Sequence, residues 1–206
     1  MITIIDYGTG NVSALGNILK NLKIEFQISS DTNSILNADK YILPGVGSFD
    51  NAMQSLYNSN MINVLQREVI ENKKHILGIC IGMQILSNQS EEGSQKGLGW
   101  IPGYVKKFDK KKLISLKLPL PHMGWNSLTV RFDSHPLLKD INFEEGFYFL
   151  HNYFFCPEYL ESSIAISNYG INFTCAVSNN NIHGVQFHPE KSHQNGIQLL
   201  KNFAFL

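Results

Sequence analysis

The sequence predicts an α/β fold: a single domain, residues 1–206, with a central mixed, largely parallel sheet flanked by helices. Three observations predict it. In the first half, short apolar runs bounded by glycine or proline alternate with longer amphipathic stretches, the rhythm of a parallel sheet covered on both faces. From about residue 97 the runs become closely spaced strands with few helices between them, which implies antiparallel pairing. The chain has 206 residues, 43% of them hydrophobic, enough to bury one sizeable core. It contains neither an internal repeat nor a linker rich enough to divide two domains.

Taken in order, "ITIID" reads as a strand and "NVSALGNILKNL" as a helix capped by Asn11, with Val12, Leu15, Leu19 and Leu22 on one face. "KIEFQIS" and "KYILPG" are further strands, "FDNAMQSLYNS" and "MINVLQREVIENKK" helices, and "HILGIC" a fourth strand. In the second half, "GYVKKF", "NSLTVRF", "FYFLHNYFF", "SIAISNY", "FTCAVS" and "IHGVQFH" are expected strands. "HQNGIQLLKNFAFL" closes the chain as a helix with Ile197, Leu200 and Phe203 or Ala204 inward. The stretch "KKFDKKKLISLK" carries six lysines and reads as a solvated hairpin; a docking patch for an acidic partner is the alternative.

Composition excludes several classes. Lys plus Arg equals Asp plus Glu at 17 each, so no basic footprint points to nucleic acid, and a small-molecule substrate is expected. "MITIIDYG" does not read as a signal peptide, and no run of about 18 apolar residues predicts a membrane span. Cys80, Cys156 and Cys175 are too few and too scattered for a disulfide framework, which fits a reducing cytoplasm. No HExxH or paired Cys/His spacing suggests a metal, and no cofactor is expected.

One stretch asks for chemistry. In "GICIG", Cys80 lies between Gly78 and Gly82 at the junction of an apolar run and a helix-like segment. That is the form of a nucleophile elbow, where flanking glycines relieve clashes in a strained strand-to-helix turn. The first amides of the following helix would then favour thiolate over thiol. A buried cysteine in an ordinary turn is the competing reading. A nucleophile needs a proton carrier, and in "VQFHPEKS" His188 ends an apolar run, Pro189 stiffens the turn and Glu190 follows. A carboxylate two residues away can orient the ring and stabilise its protonated form, the third role of a triad.

"GICIGMQIL" together with "VQFHPEKS" resembles the class I (triad) glutamine amidotransferases, whose fold is flavodoxin-like. "IIDYGTGNVSAL", "YILPGVGSFDNAM", "EEGSQKGLGWIPG", "PHMGWN" and "YFLHNYF" are similar, within that class, to the glutaminase subunits of imidazole glycerol phosphate synthases, across essentially the whole chain. The resemblance implies Cys80 as nucleophile, His188 as acid–base group and Glu190 as the residue orienting it. It implies an oxyanion hole from the amides of Val46 and Ile81, with Gly45 and Gly47 leaving the peptide at Val46 free to reorient. It implies glutamine contacts at Gly47, Gln84, Glu92, Asn152 and Tyr153; Asn152 stands where the family commonly has Ser or Thr. It implies a partner, a HisF-type (β/α)8 cyclase that takes up the ammonia, facing Asn11, Met123, Trp125 and Lys191. Similar glutaminases serve sugar amidotransferases in surface-polysaccharide synthesis, and that partner is the alternative. A cysteine peptidase or chaperone-like relative with an elbow cysteine is a third reading, against which Gln84 and the His188-Pro189-Glu190 order speak.

Overall fold

A computed structural model describes residues 1–131 and 135–206. Strand β1 (Ile2–Ile5) is buried along its whole length, as a strand covered on both faces must be. Helix α1 (Val12–Asn21) starts at Asn11, whose side chain accepts from the Ala14 amide, and buries Leu15 and Leu19. Leu22, expected on the same face, is the half-buried residue that ends the helix. There follow β2 (Phe26–Ser29), α2 (Thr32–Leu36), β3 (Lys40–Gly45), α3 (Phe49–Asn58), α4 (Ile62–Leu65) and β4 (His75–Cys80). The expected helix over 61–74 is divided: its second half, Gln66–Glu71, is wound as a π-helical turn. One turn, α5 (Ile81–Gln84), leads to β5 (Gln89–Ser90) and β6 (Gly103–Lys107).

The second half contains α6 (Lys110–Ser115), β7 (His122–Asn126), β8 (Thr129–Val130), β9 (Phe147–His151), β10 (Tyr153–Pro157), β11 (Ser163–Asn168), β12 (Asn172–Asn179), β13 (Ile182–Val185) and α7 (His193–Ala204). Among the described residues one sheet runs β2-β1-β3-β4-β13-β12-β10-β6-β5, with β11 pairing β12 and β8. The β2-β1-β3-β4-β13 portion is parallel, and β13-β12-β10-β6 is antiparallel. Helices α1 and α7, α2 and α4, and α3 and α5 pack on one another around the sheet. No helix among the described residues is long and apolar enough to cross a membrane.

Several expectations are corrected. "FYFLHNYFF" is two strands broken at Asn152, the first pairing with β7 in a separate two-stranded sheet and the second joining the central sheet. The lysine-rich stretch is not a hairpin: after β6 the Asp109 carboxylate accepts from the amides of Lys111 and Lys112 and starts α6, whose Leu113 is buried while the lysines stay in water. In α7 the inward residues are Leu199, Leu200 and Phe203, whereas Ile197 and Ala204 lie at the edges of the buried stripe. "NSLTVRF" contributes only Thr129–Val130 to the sheet, and its last residue, Phe132, lies outside the described residues.

Candidate active site

The site is built at the carboxyl ends of adjacent parallel strands, where open α/β sheets hold their ligands. The register pairs Gly45 of β3 with Cys80 of β4, and Ile79 of β4 with Val185 of β13. The segments running out of these three strands, Val46–Gly47, Cys80–Ile81 and Gln186–Glu190, are therefore neighbours. Cys80 has φ +57° and ψ −112°, a conformation that non-glycine residues rarely adopt, so its backbone is strained. The glycines make that bend possible. A Cβ on Gly82 would overlap the Leu43 carbonyl, one on Gly78 would come 2.5 Å from the Gly82 oxygen, and one on Gly45 would come 2.6 Å from the Gly82 nitrogen.

The helix after the elbow is shorter than the sequence suggests. Carbonyls of residues 85–87 are captured by the returning segment, through Leu98 N–H to Ile85 O, Ile101 N–H to Leu86 O and Gly99 N–H to Ser87 O. One turn is enough to bring Gln84 onto the cavity that Cys80 lines.

His188 is buried within hydrogen-bonding reach of that sulfur, and its Nδ1 lies 2.9 Å from Glu190 Oε1. The strand expected to end at His188 stops at Val185; beyond it the His188 amide donates to Tyr148 O, anchoring the turn. Burial alone would push the His188 ring down, but the Cys80 sulfur and the Glu190 carboxylate outweigh it and hold the ring up at about 10. The imidazole thus carries its proton at neutral pH. Glu190 Oε2 is buried and has no hydrogen-bond partner among the described residues, leaving the carboxylate to act on the ring.

A cavity of about 210 Å³ opens over Cys80, lined by Val46, Gly47, Ile81, Gln84, Glu92, Asn152 and Tyr153 among others. Pockets for drug-sized ligands run to roughly 300–1,000 Å³, so this one suits a single amino acid. Every expected oxyanion and glutamine-contact residue lines this one cavity. Glu92 is held by the Phe49 amide at the start of α3, 2.7 Å from its Oε2, and burial raises its pKa against that hydrogen bond. Gln84 Oε1 is buried and has no hydrogen-bond partner among the described residues. Sequence reading missed His151, Leu150 and Pro121 on the cavity wall and Gln186 behind the sulfur.

Of the two amides expected to form an oxyanion hole, the one at Val46 is engaged elsewhere. It donates to Thr9 Oγ1 at 3.1 Å, and the Thr9 hydroxyl donates back to Val46 O at 2.8 Å. Tyr7 Oη donates to Pro44 O at 2.6 Å, so the loop after β1 clasps the end of β3 and the loop that follows it, one point on each.

The expected docking residues share a surface. Met123 and Trp125 alternate outward on β7 and are 64% and 47% exposed. They stand opposite Leu150 and Tyr148 of β9, and Lys191 Nζ lies 5.5 Å from the Tyr148 ring centre. Asn11 is exposed at the start of α1, which packs against the 189–191 turn.

The model of the family "Glutamine amidotransferase class-I" matches residues 3–206. This chain belongs to the class I glutamine amidotransferases. An imidazole glycerol phosphate synthase subunit HisH from Leptospira borgpetersenii is 48% identical over 206 residues, covering 100% of both chains. HisH of Bdellovibrio bacteriovorus is 46% identical over 205 residues, covering 99% of each. Among solved structures, a glutamine amidotransferase aligns with TM-score 0.73 at 16% identity, over 100% of this chain and 99% of that one. PurLQS from Thermotoga maritima aligns with TM-score 0.73 at 16% identity, over 98% and 96%. Those structural likenesses carry the class I glutamine amidotransferase fold. The chain is accordingly a glutamine amidotransferase enzyme.

Proposed function

We propose that the chain is the glutaminase subunit of an imidazole glycerol phosphate synthase, hydrolysing glutamine and passing ammonia to a HisF-type (β/α)8 cyclase in histidine biosynthesis. The relatives named HisH, matched end to end, support the pathway. The observation that carries the chemistry is the buried row of Cys80, His188 and Glu190 under a cavity sized for one amino acid.

In the proposed reaction the Cys80 sulfur attacks the side-chain carboxamide carbon of glutamine, and negative charge develops on its oxygen. His188, already protonated, gives its proton to the departing ammonia, leaving a glutamyl thioester. The now neutral ring takes a proton from water, which attacks the thioester and releases glutamate and the sulfur. Glu190 orients the ring and balances its charge. Gln84 Oε1 accepts from the substrate's carboxamide, and the free oxygen of Glu92 holds its ammonium group. Gly47, Asn152 and Tyr153 complete the walls.

The oxyanion receives the Ile81 amide and, after rearrangement, that of Val46. Thr9 holds the second donor back, and Gly45, which precedes that peptide, lets it turn. One such donor is typically worth about 3–4 kcal/mol of barrier, so withholding it keeps the chain nearly silent until a partner arrives. The partner seats on Met123, Trp125, Lys191 and Asn11, around an apolar mouth that includes exposed Val46. The test is reconstitution. Glutamine hydrolysis should rise strongly when the barrel subunit and its phosphoribosyl ligand are added; equal turnover by the isolated chain would refute the coupling.

A further inference from the structure

We propose that Gln186 is a catalytic residue, donating a hydrogen bond from its side-chain amide to Cys80 Sγ, and that His151 and His122 are positioning residues that hold the Tyr153 carbonyl on which this donor's orientation rests. The proposal rests on Cys80 being the nucleophile and adds how its sulfur is held.

Gln186 is fully buried, and its Nε2 lies 3.8 Å from Cys80 Sγ. Which end of the amide faces sulfur follows from a backbone carbonyl. Tyr153 O can only accept, and it receives Gln84 Nε2 at 3.1 Å and His151 Nδ1 at 2.7 Å. Gln84 therefore presents its nitrogen there, and the second hydrogen on that nitrogen meets Gln186 Oε1 at 2.9 Å. With its oxygen so committed, Gln186 has only N–H to offer the sulfur.

The hydrogen bonds continue outward from Tyr153 O. With its proton on Nδ1, His151 accepts at Nε2 from His122 Nδ1, 2.9 Å away. His122 accepts at Nε2 from Asn126 Nδ2 at 3.2 Å, and that nitrogen also donates to Asn168 O at 2.8 Å. Every link has one permitted direction. A proton added to either ring would set two donors against each other, and burial keeps both rings neutral, His122 pushed down to about 4 and His151 to about 3. His122 and Asn126 belong to β7, the strand that also presents Met123 and Trp125. The chain thus joins the docking strand to the nucleophile.

An N–H aimed at sulfur acts when the sulfur is negative: before attack, and again when the thiolate leaves the acyl group. It acts little on the thioester between. Losing it therefore slows thiolate departure from the acyl group, the second half-reaction, and leaves glutamine capture nearly untouched, a kcat effect more than a KM effect.

The test is the rate of Cys80 alkylation by iodoacetamide against pH, read on the Cys80 peptide by mass spectrometry in the full chain, beside glutaminase kinetics with the barrel subunit. Gln186→Met should move the pH profile of alkylation upward by about one unit, slowing alkylation on the acid side of the profile by up to about tenfold, and lower kcat with KM little changed. Gln186→Glu keeps the volume and should slow alkylation further, because a carboxylate then faces the sulfur; it decides the matter should Gln186→Met fail to fold. His122→Phe should shift the profile in the same direction by less. Wild-type pH profiles in both Gln186 variants would overturn the proposal. Full glutamine hydrolysis by Cys80→Ala would instead overturn the reading beneath it.

Discussion

Replacing Thr9 by valine removes a hydroxyl and keeps the side chain's shape, and its effect on the resting rate follows from two hydrogen bonds. Thr9 Oγ1 accepts from Val46 N at 3.1 Å and donates to Val46 O at 2.8 Å. Each such bond contributes about 0.5–1.5 kcal/mol net, and at this exposed position the lower half applies, about 1–2 kcal/mol for the pair. That shifts the balance between the clasped loop and a loop offering its amide by roughly 5- to 30-fold. The ceiling is the worth of one oxyanion donor, about a hundred- to a thousandfold. Tyr7 still ties Pro44, so the loop loses one tether and keeps its place. The isolated Thr9→Val chain should hydrolyse glutamine about 5- to 30-fold faster than wild type, in an assay of glutamate release without partner. The partner-stimulated rate should hardly change, so the stimulation factor contracts. An unchanged or slower basal rate, with an unchanged thermal midpoint, would refute the clasp.

Gly82→Ala places a methyl group on the Leu43 carbonyl, so it should lower the thermal midpoint and abolish glutaminase activity; a folded, active variant would show that the elbow relaxes freely. The His188 ring, held up at about 10 chiefly against its own burial by Cys80 and Glu190, should titrate far lower by NMR in Cys80→Ala. Because the folded ring binds its proton more tightly than an unfolded one, this pairing stabilises fully below about pH 6.5 and is lost as pH rises toward 10. His151 and His183 work the other way, both pushed down to about 3 by burial. Their contribution is present above about pH 6.5 and fades as pH falls, each by up to about 1.4 kcal/mol per unit, so denaturant midpoints should drop steeply from about pH 6 to pH 4. Trp125→Ala should weaken barrel binding by about 2 kcal/mol or more while leaving basal hydrolysis unchanged; unaltered affinity in titration calorimetry would move the docking surface elsewhere.

Much of this molecule can be read from its residues, for physical reasons that also mark where reading stops. Strands β1, β3 and β4 are buried on both faces, so they show as plain apolar runs between glycine and proline. The bend at Cys80 leaves a trace because only glycines fit beside it. His188 and Glu190 are two residues apart in the chain, so their pairing is legible as well. The break at Asn152 is not, since residues 147–151 and 153–157 are equally apolar and only tertiary pairing sends them to different sheets. Helix α2 is five residues long, too short to display a period. Gln186 lies within an apolar run and His151 among aromatics, and their chemistry arises from partners distant in sequence. Asp109 turned a lysine-rich stretch into a helix by capping it, a local signal outweighed by the charge pattern.

Glutamine hydrolysis by Cys80→Ala, measured in complex with the barrel subunit and its ligand, bears on the central claim most directly. This variant should release no detectable glutamate, while synthesis by the same complex from added ammonium salt proceeds at the wild-type rate. Glutamate released at a rate comparable to wild type would contradict it, because no other described side chain stands under that cavity with a protonated histidine beside it.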